Sequence, residues 1–326
     1  MTKTSFLAAL RDYPNQFARD IQLAQTEKIK RDYENVIAAG MGGSALASDF
    51  LNTFLKKPLI ATHRNYGLPE NVSNKTLFLA LSYSGNTEET LSAVKQAIKK
   101  RAQVVCITSG GKLEQTALRE KLPLAKIPTG LQPRCATGYF FSTLLKILHK
   151  AGFTRDYSRD LNALSKKLKE RREEIEEQGA RLARKLYGAI PLVYSSSEWW
   201  SVARAWKIKF NENAKTPSFY AVLPELNHNE LAGFSEKRDR ALARFRIVFL
   251  RDAASNARVL KRFTVTRELL QKLGVESSVV EMKGGNALEK LFSTVWLGDF
   301  AAFHLALLRG VDPERVEIVE LLKKKI

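Results

Sequence analysis

The sequence predicts an α/β protein of two related halves, each a parallel sheet flanked by helices, joined by one long helix. Three observations carry this reading. Short apolar runs alternate with segments of helical period, the pattern of a parallel sheet with crossover helices. A strand, then a Ser/Gly turn, then a helix recurs in both halves. Between the halves, residues 160–187 are rich in Lys, Arg and Glu, with apolar residues at helical spacing. The length of 326 residues fits two domains of roughly 100–200 residues each. The boundary is placed at 152, so that 1–152 is the first domain and 153–326 holds the connecting helix, the second domain and the C-terminal helices.

In the first half, residues 36–39 form an apolar run that ends in glycines, hence a strand, and 44–55 follow as a helix. Residues 59–63 are a second strand. The run 77–81 is a buried strand, followed by a loop and a helix over 87–100. Residues 103–108 are a strand stopped by Ser109-Gly110-Gly111, and 124–127 a further short strand. After Pro133, residues 136–151 read as a helix ended by Gly152. The interleaved acids and bases of 160–187 mark a solvated connector rather than a nucleic-acid-binding surface. In the second half, 190–194 is a strand, and Ser195–Ser197 lead into a helix reaching about residue 213. Strands follow at 219–222, 246–250 and 277–281, with a helix over 257–273. Residues 286–308 and 313–325 close the chain as helices.

Composition narrows the function. Lys and Arg exceed Asp and Glu, 53 against 34, a net charge of +19 that attracts anions. Hydrophobic residues at 44% and charged residues at 27% exclude general disorder. Cys106 and Cys135 are the only cysteines, which excludes a disulfide framework and suits a reducing, cytoplasmic setting. No leader-like run opens the sequence, and no membrane span is expected. The histidines His63, His149, His228 and His304 lie far apart, and no Cys-x-x-Cys occurs, so no metal site is expected.

Two loops look built for phosphate. Gly40-Met41-Gly42-Gly43-Ser44 lies between a strand and a helix, where glycines admit an anion to the backbone and the helix N-terminus offers N–H groups. The relaxed dinucleotide fingerprint fits it too, as does a plain tight turn. Ser82-Tyr83-Ser84-Gly85-Asn86-Thr87-Glu88-Glu89 packs three hydroxyls and a glycine before the next helix, where an ordinary cap needs one hydroxyl. No Gly-x4-Gly-Lys-Ser/Thr string occurs, so a nucleotide P-loop is disfavoured.

Acid–base candidates lie in the second half. Phe210-Asn211-Glu212-Asn213-Ala214-Lys215 ends a helix, and Asn227-His228-Asn229-Glu230 follows. A Glu and a His at the mouth of a sheet suit general acid–base work, and the flanking asparagines suggest positioning by hydrogen bonds. The bland alternative is a solvated helix-end carboxylate and a loop histidine. Arg134, in Gln132-Pro133-Arg134-Cys135, is placed to stabilise an oxyanion, or is simply a surface arginine.

Together these motifs, with Pro224-Glu225-Leu226 before the histidine, resemble the bifunctional phosphoglucose/phosphomannose isomerases, built from two sugar-isomerase (SIS) domains. The resemblance runs in order along nearly the whole chain, to Arg309-Gly310-Val311-Asp312-Pro313. It implies that Gly42, Gly43, Ser44, Ser82, Ser84 and Thr87 hold a sugar phosphate. Glu212 would be the base that moves a proton between C1 and C2, and Arg134 would stabilise the enediolate. His228 would assist ring opening from across a homodimer interface. A C-terminal lysine lines the family's site; Lys323 fits best, with Lys324 and Lys325 as competing registers. No cofactor, metal, nucleic acid or membrane is implied. Ala45 stands where relatives often carry Gly.

Three rivals stay open. A nicotinamide oxidoreductase would want an acid after the second strand, where Arg64 and Asn65 stand. A SIS-domain sensor would usually need a DNA-binding region, for which the first 35 residues are short. The third is a SIS isomerase of another sugar phosphate.

Overall fold

The computed structural model describes residues 3–57, 59–236, 240–323 and 325. The chain divides into two compact units, Asp12–Lys169 and a second made of Met1–Arg11 with Glu170–Ile326. The opening helix α1 (Lys3–Arg11) thus belongs to the second unit.

In the first unit come α2 (Asn15–Ala18), β1 (Leu23–Ala24), β2 (Asn35–Gly40), α3 (Gly42–Leu55), β3 (Ile60–His63), β4 (Thr76–Ser82) and α4 (Glu88–Lys99). They are followed by β5 (Gln103–Thr108), α5 (Gly111–Arg119), β6 (Leu124–Lys126), α6 (Thr137–Lys150) and α7 (Ser158–Glu170). The sheet order is β1-β6-β5-β4-β2-β3, parallel except for the antiparallel edge strand β1. Every residue of β4 is buried, as its unbroken apolar run requires of a central strand covered on both faces. One side of the sheet buries Ile37, Phe78, Val104 and Cys106 with Ala93 and Val94 of α4 and Leu113 of α5. Register sets Gly40 beside Leu81 and Ser82 beside Thr108, so three loops leave the carboxyl ends of adjacent strands together.

The second unit continues with α8 (Arg172–Leu186), β7 (Ile190–Ser196), α9 (Trp200–Glu212), β8 (Phe219–Leu223) and β9 (Phe245–Arg251). It ends with α10 (Ala257–Lys272), β10 (Glu276–Glu281), α11 (Ala287–Leu308) and α12 (Glu317–Lys323). Its four strands are all parallel, in the order β10-β9-β7-β8. Tyr194, Ile247, Phe249, Phe263 and Leu270 pack between this sheet and α10. By length and composition α11 is apolar enough to cross a membrane, yet 83% of its apolar window is buried inside the protein, so it is a core helix. Its neighbours are α8 and α9: a Cβ on Gly179 of α8 would lie 2.6 Å from Phe300 Cβ, and a Cβ on Gly298 would lie 2.5 Å from Trp206 Nε1.

The expected long connector is corrected. It is two helices, broken at Arg171, whose backbone leaves the helical region (φ −101°, ψ 7°). The apolar residues at helical spacing form two separate stripes. Leu161, Leu164 and Leu168 are buried on α7, and Ile175, Leu182, Ala183 and Leu186 on α8. The division accordingly falls at residue 169 rather than 152, with α7 in the first unit. The sequence pattern also did not show α1, α5 and β1, and it began the last helix at 313, whereas α12 starts at Glu317.

Candidate active site

The residues expected to hold phosphate lie in the first unit. Gly42 adopts φ +48° and starts α3, whose first turn leaves N–H groups without intrahelical partners. Gly43 is where the chain comes closest to a neighbour: a Cβ there would sit 2.5 Å from both N and Cα of Arg134. Only glycine lets the Pro133–Cys135 turn lie against this loop. Ser44, 5% exposed, accepts the Tyr83 N–H at 3.1 Å, which ties the glycine loop to the serine loop. Ala45 is fully buried, so its methyl is accommodated.

Within the serine loop, Ser82 Oγ and Thr87 Oγ1 are 2.8 Å apart, and Ser84 Oγ accepts the Asn86 N–H at 3.2 Å. Gly85 adopts φ +69°, and a Cβ there would meet Gly110 O. The Asn86 side chain accepts the Lys112 N–H at 3.1 Å, fixing the loop to the start of α5. Ser84 is exposed and Thr87 half-buried. The hydroxyl of Thr90 is buried without a hydrogen-bond partner among the described residues. Thr90 lines a cleft with Gly40, Met41, His63 and Asn65, directly beside the glycine loop.

Arg134 is not a surface arginine: it is 1% exposed, and its Nη1 donates to Gln132 Oε1 at 3.3 Å. The structure therefore gathers Gly42, Gly43, Ser44, Ser82, Ser84, Thr87 and Arg134 around one end of one sheet. Arg64 lies elsewhere in function, since its guanidinium grips the buried Asp49 carboxylate at 2.6 Å. That ion pair occupies Arg64, which with Asn65 stands where the nicotinamide reading wants an acid.

The expected acid–base residues lie in the second unit. Glu212 is the last residue of α9 and half-buried, with its backbone carbonyl accepting from Lys215 Nζ. Asn213, fully buried, follows it and donates its backbone N–H to Lys209 O at 2.8 Å. Asn211 Oδ1, and Ser196 Oγ at the carboxyl end of β7, are buried without hydrogen-bond partners among the described residues. Buried polar atoms of this kind are uncommon and mark places where a ligand or water completes the set. His228 is exposed and ends a short 3-10 turn, Glu225–His228, that follows the cis Leu223-Pro224 bond. Its flanks are pinned. The Asn227 amide donates to Thr266 Oγ1 at 2.8 Å and accepts from Arg262 at 3.1 Å. Asn229 donates to Glu225 at 2.9 Å, and the Tyr194 hydroxyl donates to Glu230. Burial, then that carboxylate, pushes the Tyr194 phenol well up, so it stays a donor.

Lys323 is not brought to this machinery by any described contact. It lies on the exposed helix α12 and pairs with Glu320 at 2.8 Å. Lys325 is exposed, and Lys324 lies outside the described residues. Among the described residues no three His, Cys, Asp or Glu side chains form a metal cluster. Both cysteines are buried as thiols, and burial pushes the Cys106 thiol up to about 12. Trp199 is a packing residue whose indole N–H donates to Asp252 at 3.2 Å. Sequence reasoning missed Tyr83, Gln16 and the buried Lys209–Asp299 pair, because none carries a motif of its own.

Comparison with known proteins finds a SIS domain in each of the two units. Residues 175–326 match the bacterial phospho-glucose isomerase C-terminal SIS domain, and residues 31–119 match the SIS domain. A bifunctional phosphoglucose/phosphomannose isomerase of Caldicellulosiruptor bescii is 36% identical over 96% of both chains. A D-glucosamine-6-phosphate 4-epimerase of Sulfolobus acidocaldarius is 33% identical, over 69% of this chain and 70% of its own. A hypothetical protein of Thermus thermophilus shares the fold, with a TM-score of 0.74 at 18% identity over 99% of this chain and 93% of its own. With two SIS domains and a full-length match of this strength, the chain belongs to the bifunctional phosphoglucose/phosphomannose isomerase family.

Proposed function

We propose that this protein is a metal-independent aldose–ketose isomerase. It interconverts glucose 6-phosphate and mannose 6-phosphate with fructose 6-phosphate through a cis-enediol(ate). The observation that carries this reading is the joining of the glycine and serine loops through Ser44 and Tyr83, beside a buried Arg134, in a member of this family. Backbone N–H groups at the starts of α3 and α4 and the hydroxyls of Ser44, Ser82, Ser84 and Thr87 hold the phosphate. Glu212 removes the proton from C2 and returns it to C1. That proton lies α to a carbonyl, so a carboxylate suffices if Arg134 stabilises the developing oxyanion. Both aldoses lose their difference at C2 in the same enediol, so one base serves both. His228 opens the sugar ring, acting on a second copy in a homodimer. Its exposed position on a pinned turn supports such a reach. The C-terminal lysine of the site is best fitted by Lys323 of α12, with Lys324 and Lys325 as competing registers.

The test is fructose 6-phosphate formation from each aldose, with and without EDTA, for the wild type and Glu212→Gln. Turnover of both sugars, insensitive to EDTA and lowered at least ~10²-fold in the variant, is expected. The epimerase relative favours a second reading, an isomerase or epimerase of an amino-sugar phosphate. Turnover of glucosamine 6-phosphate with none of glucose 6-phosphate would establish it.

A further inference from the structure

We propose that Tyr83 is a positioning residue that couples the phosphate seat to the turn carrying Arg134. The proposal rests on the isomerase reading, in which Arg134 faces the intermediate. Three polar groups of Tyr83 go to three different segments. Its N–H donates to Ser44 Oγ in the glycine loop at 3.1 Å. Its carbonyl accepts from Ser109, from the backbone N–H at 3.0 Å and from Oγ at 2.6 Å, in the loop after β5. Its hydroxyl donates to Pro128 O at 2.9 Å and accepts the Leu131 N–H at 2.8 Å, on the segment that leads to Pro133 and Arg134.

The side chain is 6% exposed, and burial pushes its phenol up, so the hydroxyl stays protonated and bridges in one geometry. The far side of the same turn is held independently. Gln16, 1% exposed, donates to Cys135 O at 2.7 Å and accepts the Gly138 N–H at 3.1 Å. Arg134 therefore sits between two clamped ends, Leu131 and Cys135, and only the upstream clamp is made by a residue of the phosphate loop. A phosphate that settles the serine loop also settles Tyr83, and through its hydroxyl the approach to Arg134. Binding energy from a non-reacting group is thereby linked to orientation at the reacting carbons.

The division of labour within Tyr83 makes this testable. The backbone groups serve the phosphate loops and survive in Tyr83→Phe; the hydroxyl serves only the Arg134 segment. Wild type, Tyr83→Phe, Arg134→Lys and the double variant are assayed for kcat and KM with glucose 6-phosphate, and for competitive inhibition by inorganic phosphate. The loss of one bridging hydroxyl is expected to lower kcat about ten-fold. KM and phosphate inhibition should stay within about two-fold, and in the Arg134→Lys background the hydroxyl's loss should cost less than about two-fold. Several outcomes overturn the coupling. They are unchanged kcat in Tyr83→Phe, a weakened phosphate site with kcat intact, equal losses in both backgrounds, or loss of the folded state, which would assign the hydroxyl to stability alone. A wild type that isomerises no sugar phosphate removes the isomerase reading itself, and the proposal with it.

Discussion

Gly43 shows how narrow the tolerances at the candidate site are. Its α-hydrogen faces the backbone of Arg134, and Gly43→Ala would place a methyl 2.5 Å from two main-chain atoms that no rotamer change can move. Either the glycine loop or the Pro133–Cys135 turn must shift. Overpacking of this kind costs about 1–3 kcal/mol. Denaturant unfolding of Gly43→Ala should show that loss, together with a raised KM for sugar phosphate; unchanged stability and KM would contradict the packing described. The glycine itself was legible in the sequence, as part of a strand–glycine–helix motif, but its reason was not. Spacing along the chain shows a loop suited to an anion. It does not show that a segment 91 residues later, at Arg134, lies against it. For the same reason Arg134 by itself reads more readily as a surface arginine, and Tyr83 shows no role of its own within the serine loop. Hydroxyls and charges announce themselves by type, whereas their partners are set by packing.

At the level of elements, the strands other than the two-residue β1 were legible because apolar runs bounded by Gly and Ser have few other uses in an α/β chain. The helices packed against them were less so. Residues 160–187 carry enough charge to look solvated throughout, and one turn residue, Arg171, divides them. α11 is the clearest case of tertiary context overriding composition. It buries Asp299, 2% exposed, in an ion pair with Lys209 of α9 at 2.6 Å, one turn before Glu212. Taking the carboxylate away from a buried ammonium costs about 3–5 kcal/mol, so Asp299→Ala should be strongly destabilised in thermal or denaturant unfolding. Lys209→Met with Asp299→Leu should recover most of that loss, because the pair's desolvation cost disappears with it.

α11 also carries His304, whose pKa burial lowers, with Arg184 and Arg11 adding to the shift and Glu176 opposing it. The folded protein then resists a proton that the unfolded chain accepts near the ordinary value of 6.5. More protons bind to the unfolded state in that window, so stability falls as pH drops from 6.5 toward the depressed value. The melting temperature of the wild type should fall more between pH 8 and 5.5 than that of His304→Gln; parallel curves would exclude this contribution.

For the whole molecule, the proposal that His228 serves a second copy has a direct check. Glu212→Gln and His228→Ala, each inactive alone, should regain activity when mixed and allowed to exchange subunits; no recovery would place both residues in one chain's site. Oligomeric state was not legible in the residue pattern, since an exposed histidine on a pinned turn looks the same in a monomer. The two-unit plan was legible, but one part of it was not: α1 belongs with the C-terminal unit. Phe6 stacks on Phe303 with ring centroids 6.2 Å apart, the Trp296 indole donates to Leu10 O at 2.7 Å, and Arg11 grips Glu176. The tryptophan stands 286 positions after its acceptor. During synthesis at about 5–20 residues per second, that interval of 286 residues lasts roughly 15–60 s. Residues 12–169 can finish folding in that time, while the α1 segment, at nine residues too short to hold a helix on its own, waits for a surface not yet translated. Completion of the C-terminal unit therefore seats α1 on α11, and a nascent chain stalled before Trp296 would display α1 undocked from it.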